Sequence, residues 1–458
     1  MKPLSLMPLL ILIIQTLLFT TACKQSTEPK LEAELKLELE DASCTEAWIK
    51  LSATNLQFPA TINLLKDGNV AQTISLWRDA DTVLYVDSLL PNQTYRFKSI
   101  VQSSNQQINT SSNDITVTTM DTTSHEFTWQ SWEFGTTGSS TLYDVAIIDE
   151  NNIWAVGDIN IADTSINGYT TYNAVHWDGT KWELKRINVN FRGNVITPPL
   201  EGVFAFSGND IWFVGSLPIH GDGNTWMIYD LRTTLDPNIS VSKCWGSSSN
   251  DMYFVGRNGN IAHWDGRKWT KIESGTTYFL SDIAANNFRE VFICGGNNSF
   301  GQGILLKSDN LKNFTTYIEG AIIPESELFN PKLYGSFASI WIDDKNTLYC
   351  GGNILFQNKF NKWSYVKSLP ENFIGGNPGV YYRGYINKIR GISSNDIWIV
   401  GDRNTVRHFN GITWQQIGMA YDPNIDLVWR GMDCKGDITV IVGTHNRSAK
   451  IMMIKKQN

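Results

Sequence analysis

The 458-residue chain is 42% hydrophobic and 18% charged and carries 17 Trp, enough apolar material for one large core and one small additional domain. Its 38 basic residues stand against 45 acidic ones, a formal net charge of −7, so the cationic footprint that phosphate backbones demand is missing and nucleic acid is excluded as an expected partner. Apart from Cys23, the cysteines are Cys44, Cys244, Cys294, Cys350 and Cys434, an odd set without CxxC or metal-ligand spacing. Unpaired buried thiols are therefore expected, with no metal and no cofactor.

At the N-terminus, Met1-Lys2 precede an apolar run from Leu4 to Phe19 that is short for a membrane span and ends in Thr20-Thr21-Ala22-Cys23. This segment resembles a bacterial lipoprotein signal. The resemblance implies removal of residues 1–22, lipidation of Cys23 and a cell-envelope protein held to a membrane. The family usually has Leu three residues before the cysteine, where this chain has Thr20; an ordinary signal peptide is the alternative. Residues 24–30 are polar and serve as a tether.

From 31 to 121 the pattern changes to short alternating runs, among them Ala47-Trp48-Ile49-Lys50-Leu51-Ser52-Ala53 and Thr61-Ile62-Asn63-Leu64-Leu65 before the turn Lys66-Asp67-Gly68-Asn69. Period-two runs broken by turns about every ten residues predict a β-sandwich. The segment Leu89-Leu90-Pro91-Asn92-Gln93-Thr94-Tyr95-Arg96-Phe97 resembles the fibronectin type III family, with Tyr95 in its tyrosine corner and Trp48 as its core tryptophan. That resemblance implies a spacer or adhesive module and no activity.

Residues 127–458 repeat one phrase. Its best copy is Ser393-Ser394-Asn395-Asp396-Ile397-Trp398-Ile399-Val400-Gly401, with close copies ending at Gly157, Gly215 and Gly256 and weaker ones at 289–295, 346–352 and 437–443. A mean spacing of about 48 residues suits four short strands with their turns, which predicts a seven-bladed β-propeller with six or eight blades as alternatives. A second phrase, His176-Trp177-Asp178-Gly179 and its counterparts at His263 and His408, predicts hairpins with positive φ at both central residues. In this reading Asp178, Asp230 and Asp265 are hairpin carboxylates, and the three histidines sit on separate blades, too far apart to share a metal. The last blade lacks one strand, and residues 128–135 resemble 268–275 closely enough to supply it, which would remove an exposed sheet edge. The repeat resembles the propellers of photosystem II assembly-factor-like and sialidase-type families, and the likeness implies a fold rather than a substrate. The degenerate Asp-box turn Ser308-Asp309-Asn310 with Phe314 belongs to the same resemblance.

No GxSxG, HExxH, P-loop or dinucleotide fingerprint occurs, and no catalytic residue is assigned. The tight turns share one face of the propeller, while the connections 158–172, 188–199, 216–225, 321–334, 370–386 and 420–426 fall on the other. Long loops on a rigid scaffold carry binding residues. The candidates there are Phe191, Arg192, His220, Tyr381, Tyr382, Arg383, Tyr385 and Tyr421, with Phe329 and Phe373 in the same loops, side chains that dominate hot spots and suit sugars or peptides. A second candidate is the channel mouth. Thirteen residues before each motif glycine stand Asp144, Gly202, Lys243, Asp282, Ser339, Lys388 and Arg430, whose mixed signs predict mutual ion pairing. The expectation is a lipid-anchored, non-catalytic propeller that binds a glycan or an envelope protein through its long-loop face. The alternatives are a carbohydrate-active hydrolase or lyase using Asp144, Asp282 or Glu201, and an envelope assembly or scaffold factor.

Overall fold

The computed structural model describes residues 32–102, 108–286, 290–297, 302–308, 312–319, 335–366, 385–419 and 424–457. Residues 1–31, on which the expected leader, Cys23 and the expected tether fall, lie outside them. Among the described residues the regular structure is β apart from one α-helical turn, Leu231–Thr234, and one 3-10 turn, Arg257–Gly259. No described helix is long and apolar enough to cross a membrane.

Before the repeats, Glu34–Ala42, Ala47–Thr54 and Ala80–Val86 form a three-stranded sheet. Asn69–Leu76, Ala60–Lys66, Thr94–Gln102 and Ile108–Ser111 form a second in that order, with Ile115–Thr118 also paired to Thr94–Gln102. By compactness the chain divides into one unit holding Lys50–Val83, Arg96–Ile115 and the chain up to Glu38, and another holding Leu39–Ile49, Leu84–Tyr95 and Thr116–Asn458. The hairpin at Asp67-Gly68 has φ of 50° and 83°, the pair of positive values that a two-residue primed turn needs. Along Ala47–Thr54 burial alternates, with Ala47, Ile49, Leu51 and Ala53 inside. Trp48, expected in the core, is therefore on the opposite face, because successive strand side chains point to opposite sides; its ring lies 5.6 Å from that of Tyr85.

Among the described residues the repeats form seven four-stranded antiparallel sheets. Sheet I is Thr141–Asp149, Asn152–Ala162, Tyr169–Trp177 and Trp182–Lys185; sheet II is Gly202–Ser207, Asp210–Gly215, Leu217–Gly221 and Trp226–Ile228; sheet III is Val241–Ser248, Asp251–Gly256, Ile261–Trp264 and Trp269–Ile272. Sheet IV is Phe279–Ala285, Val291–Asn297, Gln302–Ser308 and Thr315–Glu319; sheet V is Phe337–Ile342, Leu348–Gly352, Phe356–Lys359 and Lys362–Tyr365; sheet VI is Ile386–Ser393, Asp396–Gly401, Thr405–Phe409 and Trp414–Gln416. Sheet VII takes Leu427–Lys435, Ile438–His445 and Ser448–Lys456 from the C-terminus and Phe127–Phe134 from the start of the ring. The donated strand pairs Trp132 with Ile451 and Trp129 with Ile454.

Each pair of neighbouring sheets shares a core, and the cores run full circle. Trp154 and Val156 of sheet I pack with Ile211 and Phe213 of sheet II, Trp212 and Val214 with Phe254 of sheet III, and so on to Trp398 and Val400 of sheet VI with Ile441 of sheet VII. Val440 and Ile451 of sheet VII then meet Val145 and Ile153 of sheet I. The second strand of every sheet thus feeds two cores at once, one from each face. That is why the motif Ile-Trp-Ile-Val is uninterruptedly apolar instead of alternating. This closed arrangement of radial sheets is a β-propeller.

The motif glycine has its own cause. A Cβ on Gly401 would stand 1.9 Å from the Tyr385 carbonyl oxygen, and one on Gly157 2.0 Å from that of Thr141. In both sheets the inner strand carries a register shift opposite this glycine, at Ile386/Lys388 and at Leu142/Asp144, and the irregularity pushes a carbonyl over the site.

The outer turns differ from expectation. Gly179, Gly266 and Gly411 have positive φ, whereas Asp178, Asp265 and Asn410 do not. Asp178 Oδ1 instead accepts hydrogen bonds from the N–H groups of Thr180 and Lys181 at 2.9 Å each, and Asp265 does the same for Arg267 and Lys268. The side chain closes an Asx turn, so a left-handed Asp is not needed.

Candidate functional site

The inner strands set the geometry at the axis. Pairing with the residue before each motif glycine aligns Asp144, Gly202, Lys243, Asp282, Ser339 and Lys388 at one level. In sheet VII the residue at that level is Gly431, paired with Val442, and Arg430 is the bulged, exposed residue before it. Arg430 is thus removed from the axial set: sheet VII has one residue fewer between the axial position and the motif glycine, which a fixed offset misses.

The remaining charges are matched. Asp144 Oδ2 lies 2.9 Å from Lys243 Nζ, which also donates to the Glu201 carbonyl at 2.8 Å. Asp282 takes Lys388 Nζ at 3.0 Å and both guanidinium nitrogens of Arg390 at 3.1 Å, and accepts the Ser339 hydroxyl at 2.6 Å. Asp282 is 2% and Lys388 4% exposed. Burial pushes the Asp282 carboxyl up, but Arg390 and Lys388 outweigh it and hold the group well below the ordinary carboxylate range. A carboxylate so held cannot act as a general acid at neutral pH. Burial and the nearby Arg390 push the Lys388 ammonium down.

Two axial residues escape the offset count. Arg390 and Asp433 stand two positions further along their strands than Lys388 and Gly431, on the same strand face by the period-two rule. Both line a cavity of about 290 Å³ whose walls run from the ion-pair level toward the tight turns. Counting i+2 from the axial position would have found them.

On the long-loop face, Phe191 and Arg192 belong to a small hairpin of Val189–Phe191 and Asn194–Ile196. Arg192 Nε bonds Asp230 Oδ2 at 2.7 Å and its guanidinium lies 5.0 Å from the Phe191 ring centre. Asp230, expected in an outer hairpin, precedes the helical turn Leu231–Thr234 and anchors Arg192 instead. His220, expected in a loop, is in a strand. It lies in the third strand of sheet II, stacked on Trp212 at 4.1 Å and bonded to Asp210 at 2.9 Å. It is the counterpart of His176, His263 and His408, hidden from the repeat search because Asp210 to His220 is a shorter span. The segment 216–225 is therefore not a long loop. Tyr385 donates to or accepts from the Ser336 hydroxyl at 2.8 Å, and burial pushes its phenol up to about 12. Tyr381, Tyr382, Arg383, Tyr421, Phe329, Phe373 and the Asp309-Asn310 turn lie outside the described residues.

That face also carries a cavity of about 460 Å³ between sheets III and IV, lined by Arg257, Asn258, Thr277, Tyr278, Phe279, Gly296 and Asn297. None of these was singled out from the sequence, since the two connections that form it are short. Among the described residues no group of three or more His, Cys, Asp or Glu is placed to hold a metal ion. The five described cysteines are unpaired.

No family model matches the chain, and no curated protein does. Among solved structures, YCF48 bound to D1 peptide is similar with a TM-score of 0.50 and 14% identity, covering 72% of this chain and 97% of that one. YCF48 from Cyanidioschyzon merolae follows at 0.48 and 14%, covering 72% and 99%. PorZ, described as an essential bacterial surface component of the type-IX secretion system of Porphyromonas gingivalis, gives 0.49 and 9%, covering 92% of this chain and 57% of PorZ. At such identities the likeness establishes the fold alone, a β-propeller.

Proposed function

We propose that the protein is a seven-bladed, lipid-anchored propeller of the cell envelope that binds a protein or glycan on its long-loop face and performs no chemistry. The observation that carries this reading is the asymmetry of the two faces. The tight face is closed by Asx turns such as Asp178 to Lys181. The other bears the hairpin 189–196, the long pair Asn152–Ala162 and Tyr169–Trp177 with Ile166 fully exposed at its tip, and the cavity at Arg257 and Tyr278. A protein ligand is favoured because Arg and Tyr around a concavity are interface anchors. Cys23 supplies the anchor, and the residues before the ring form a fibronectin type III-like spacer, a reading supported by the Leu90 N–H donated to Tyr95 Oη at 2.8 Å. The hydrolase alternative loses support because, of its three acids, Asp144 and Asp282 are engaged by lysines and Glu201 lies 3.8 Å from the Arg257 guanidinium.

The test is a glycan array and an envelope-protein pull-down with the intact chain and with Arg257→Ala/Tyr278→Ala and Tyr381→Ala/Tyr382→Ala/Arg383→Ala. A ligand whose affinity drops about ten-fold or more in either variant, and is unmoved by Arg267→Ala on the opposite face, supports the reading; a ligand indifferent to both sinks it. Loss of metabolic labelling by fatty acid in Cys23→Ser tests the anchor.

A further inference from the structure

We infer a second site, independent of the long-loop face, at the tight-turn end of the axial channel: it takes an organic cation, an ammonium or guanidinium group, between aromatic rings and against Asp433. The cavity of about 290 Å³ has the ion-pair level as its floor and opens along the inner strands. The floor offers a ligand little, since Asp144 and Asp282 already hold their lysines.

One step further along the strands the lining changes character. At this level stand Phe204, Trp245 and Trp341 from sheets II, III and V, with Ala146 and Ala284 leaving room between them. Each ring leans on an aromatic of its own sheet, Phe206, Tyr253 and Tyr349 at 5.1, 6.5 and 5.7 Å. Among the described ring pairs none joins these three across the axis, so the cavity keeps their exposed surfaces available. Facing them is Asp433. Among the described residues its two oxygens accept hydrogen bonds from backbone N–H groups, Cys434 at 2.9 Å and Ile147 at 2.8 Å. Among the described residues no Lys or Arg nitrogen is within ion-pairing distance of it, and Arg390, its neighbour in the lining, is committed to Asp282 by two bonds and to the carbonyls of Ile340 and Ile389.

Aromatic faces attract cations through the ring quadrupole, most strongly where water is excluded, and a buried carboxylate without a cationic partner is costly. A cation entering the funnel answers both. A sugar would need several free hydrogen-bonding groups at this level, and the Asp433 oxygens and the terminal nitrogens of Arg390 are already bonded. Burial raises the Asp433 carboxyl above its usual value even though the Ile147 N–H and the charge of Arg390 pull it down, a condition that a further positive charge would relieve. The cation can be a free amine or the side chain of a basic peptide.

Calorimetric titration of the intact protein separates the two sources and tests the site. One arm uses choline, a second the peptide Gly-Gly-Lys-Gly-Gly, and a third 3,3-dimethylbutan-1-ol, the neutral isostere of choline. Saturable binding of choline or the peptide, about ten-fold weaker for the neutral isostere and about ten-fold weaker in Asp433→Asn or Trp245→Leu, supports the site; choline alone identifies a free amine, the peptide alone a partner chain. Arg257→Ala should leave this binding unchanged, so failure here is distinct from failure of the long-loop reading. Absence of binding in both cationic arms, equal binding of the isostere, or indifference to Asp433→Asn overturns it. The isostere comparison needs no variant and decides the matter even if a substitution unfolds the chain.

Discussion

Lys388 shows how much rests on single buried charges. Its ammonium and the Asp282 carboxylate are almost wholly buried, and Arg390 shares the same acid. Removing one member of such a network strands its partner in a low dielectric. Lys388→Met should lower unfolding stability by about 3–5 kcal/mol in urea titration; a change under 1 kcal/mol would mean that Arg390 alone satisfies Asp282. Gly401→Ala tests the other single-residue claim. With a backbone carbonyl 1.9 Å from the new carbon, the inner strand must shift, and a loss of about 1–3 kcal/mol is expected from the same measurement. Both residues were visible in the sequence, Gly401 as a repeat position and Lys388 by its offset from it. The reason for the glycine, an irregular inner strand, was not, because nothing in the repeat phrase encodes a shift in the strand beside it.

At the scale of elements, the histidines tie the second strand of a sheet to the third. His176 bonds Asn152, His263 bonds Asp251 and His408 bonds Asp396, at 2.9, 2.8 and 3.2 Å, each lying over the aromatic ring of the motif. In sheet VI the link extends outward. His125, just before the closing strand, places Nδ1 2.9 Å from His408 Nδ1 and Nε2 3.1 Å from the Thr413 hydroxyl. Burial, then the adjacent His408 ring, lowers the His125 pKa from 6.5 to about 4. Between those values the unfolded chain takes up a proton that the folded chain refuses, so stability falls as pH falls through this window. The urea midpoint should drop between pH 7 and pH 5, and His125→Asn should drop less; an identical pH slope in the two proteins would refute the coupling. The His-Trp-Asp-Gly phrase was legible as a strand and turn. His220 and His125 were not, the first for want of the usual spacing, the second because its partner is 283 residues away.

For the whole molecule the decisive feature is closure. Phe127–Phe134 completes sheet VII, and Trp132 sits 5.7 Å from Trp177 and 6.2 Å from Trp182 of sheet I, so the ring is locked by a strand from its own beginning. Deleting residues 127–134 should expose the edge of Ser448–Lys456 and yield aggregates on gel filtration, and Trp132→Ala should cost about 3–5 kcal/mol. A monomeric deletion protein with an unchanged melting curve would show that the other cores suffice. The repeat period, the doubly buried motif strand and the donated strand follow from local composition, because each is written in the spacing of apolar residues along one segment. Which charges meet at the axis was decided only in three dimensions. Asp144 finds Lys243 and Asp282 finds Lys388 across gaps of about a hundred residues. A one-residue slip in sheet VII takes Arg430 out of the set, and the surroundings of the Asp433 carboxylate are defined by what seven separate strands bring beside it, which no single stretch of chain contains.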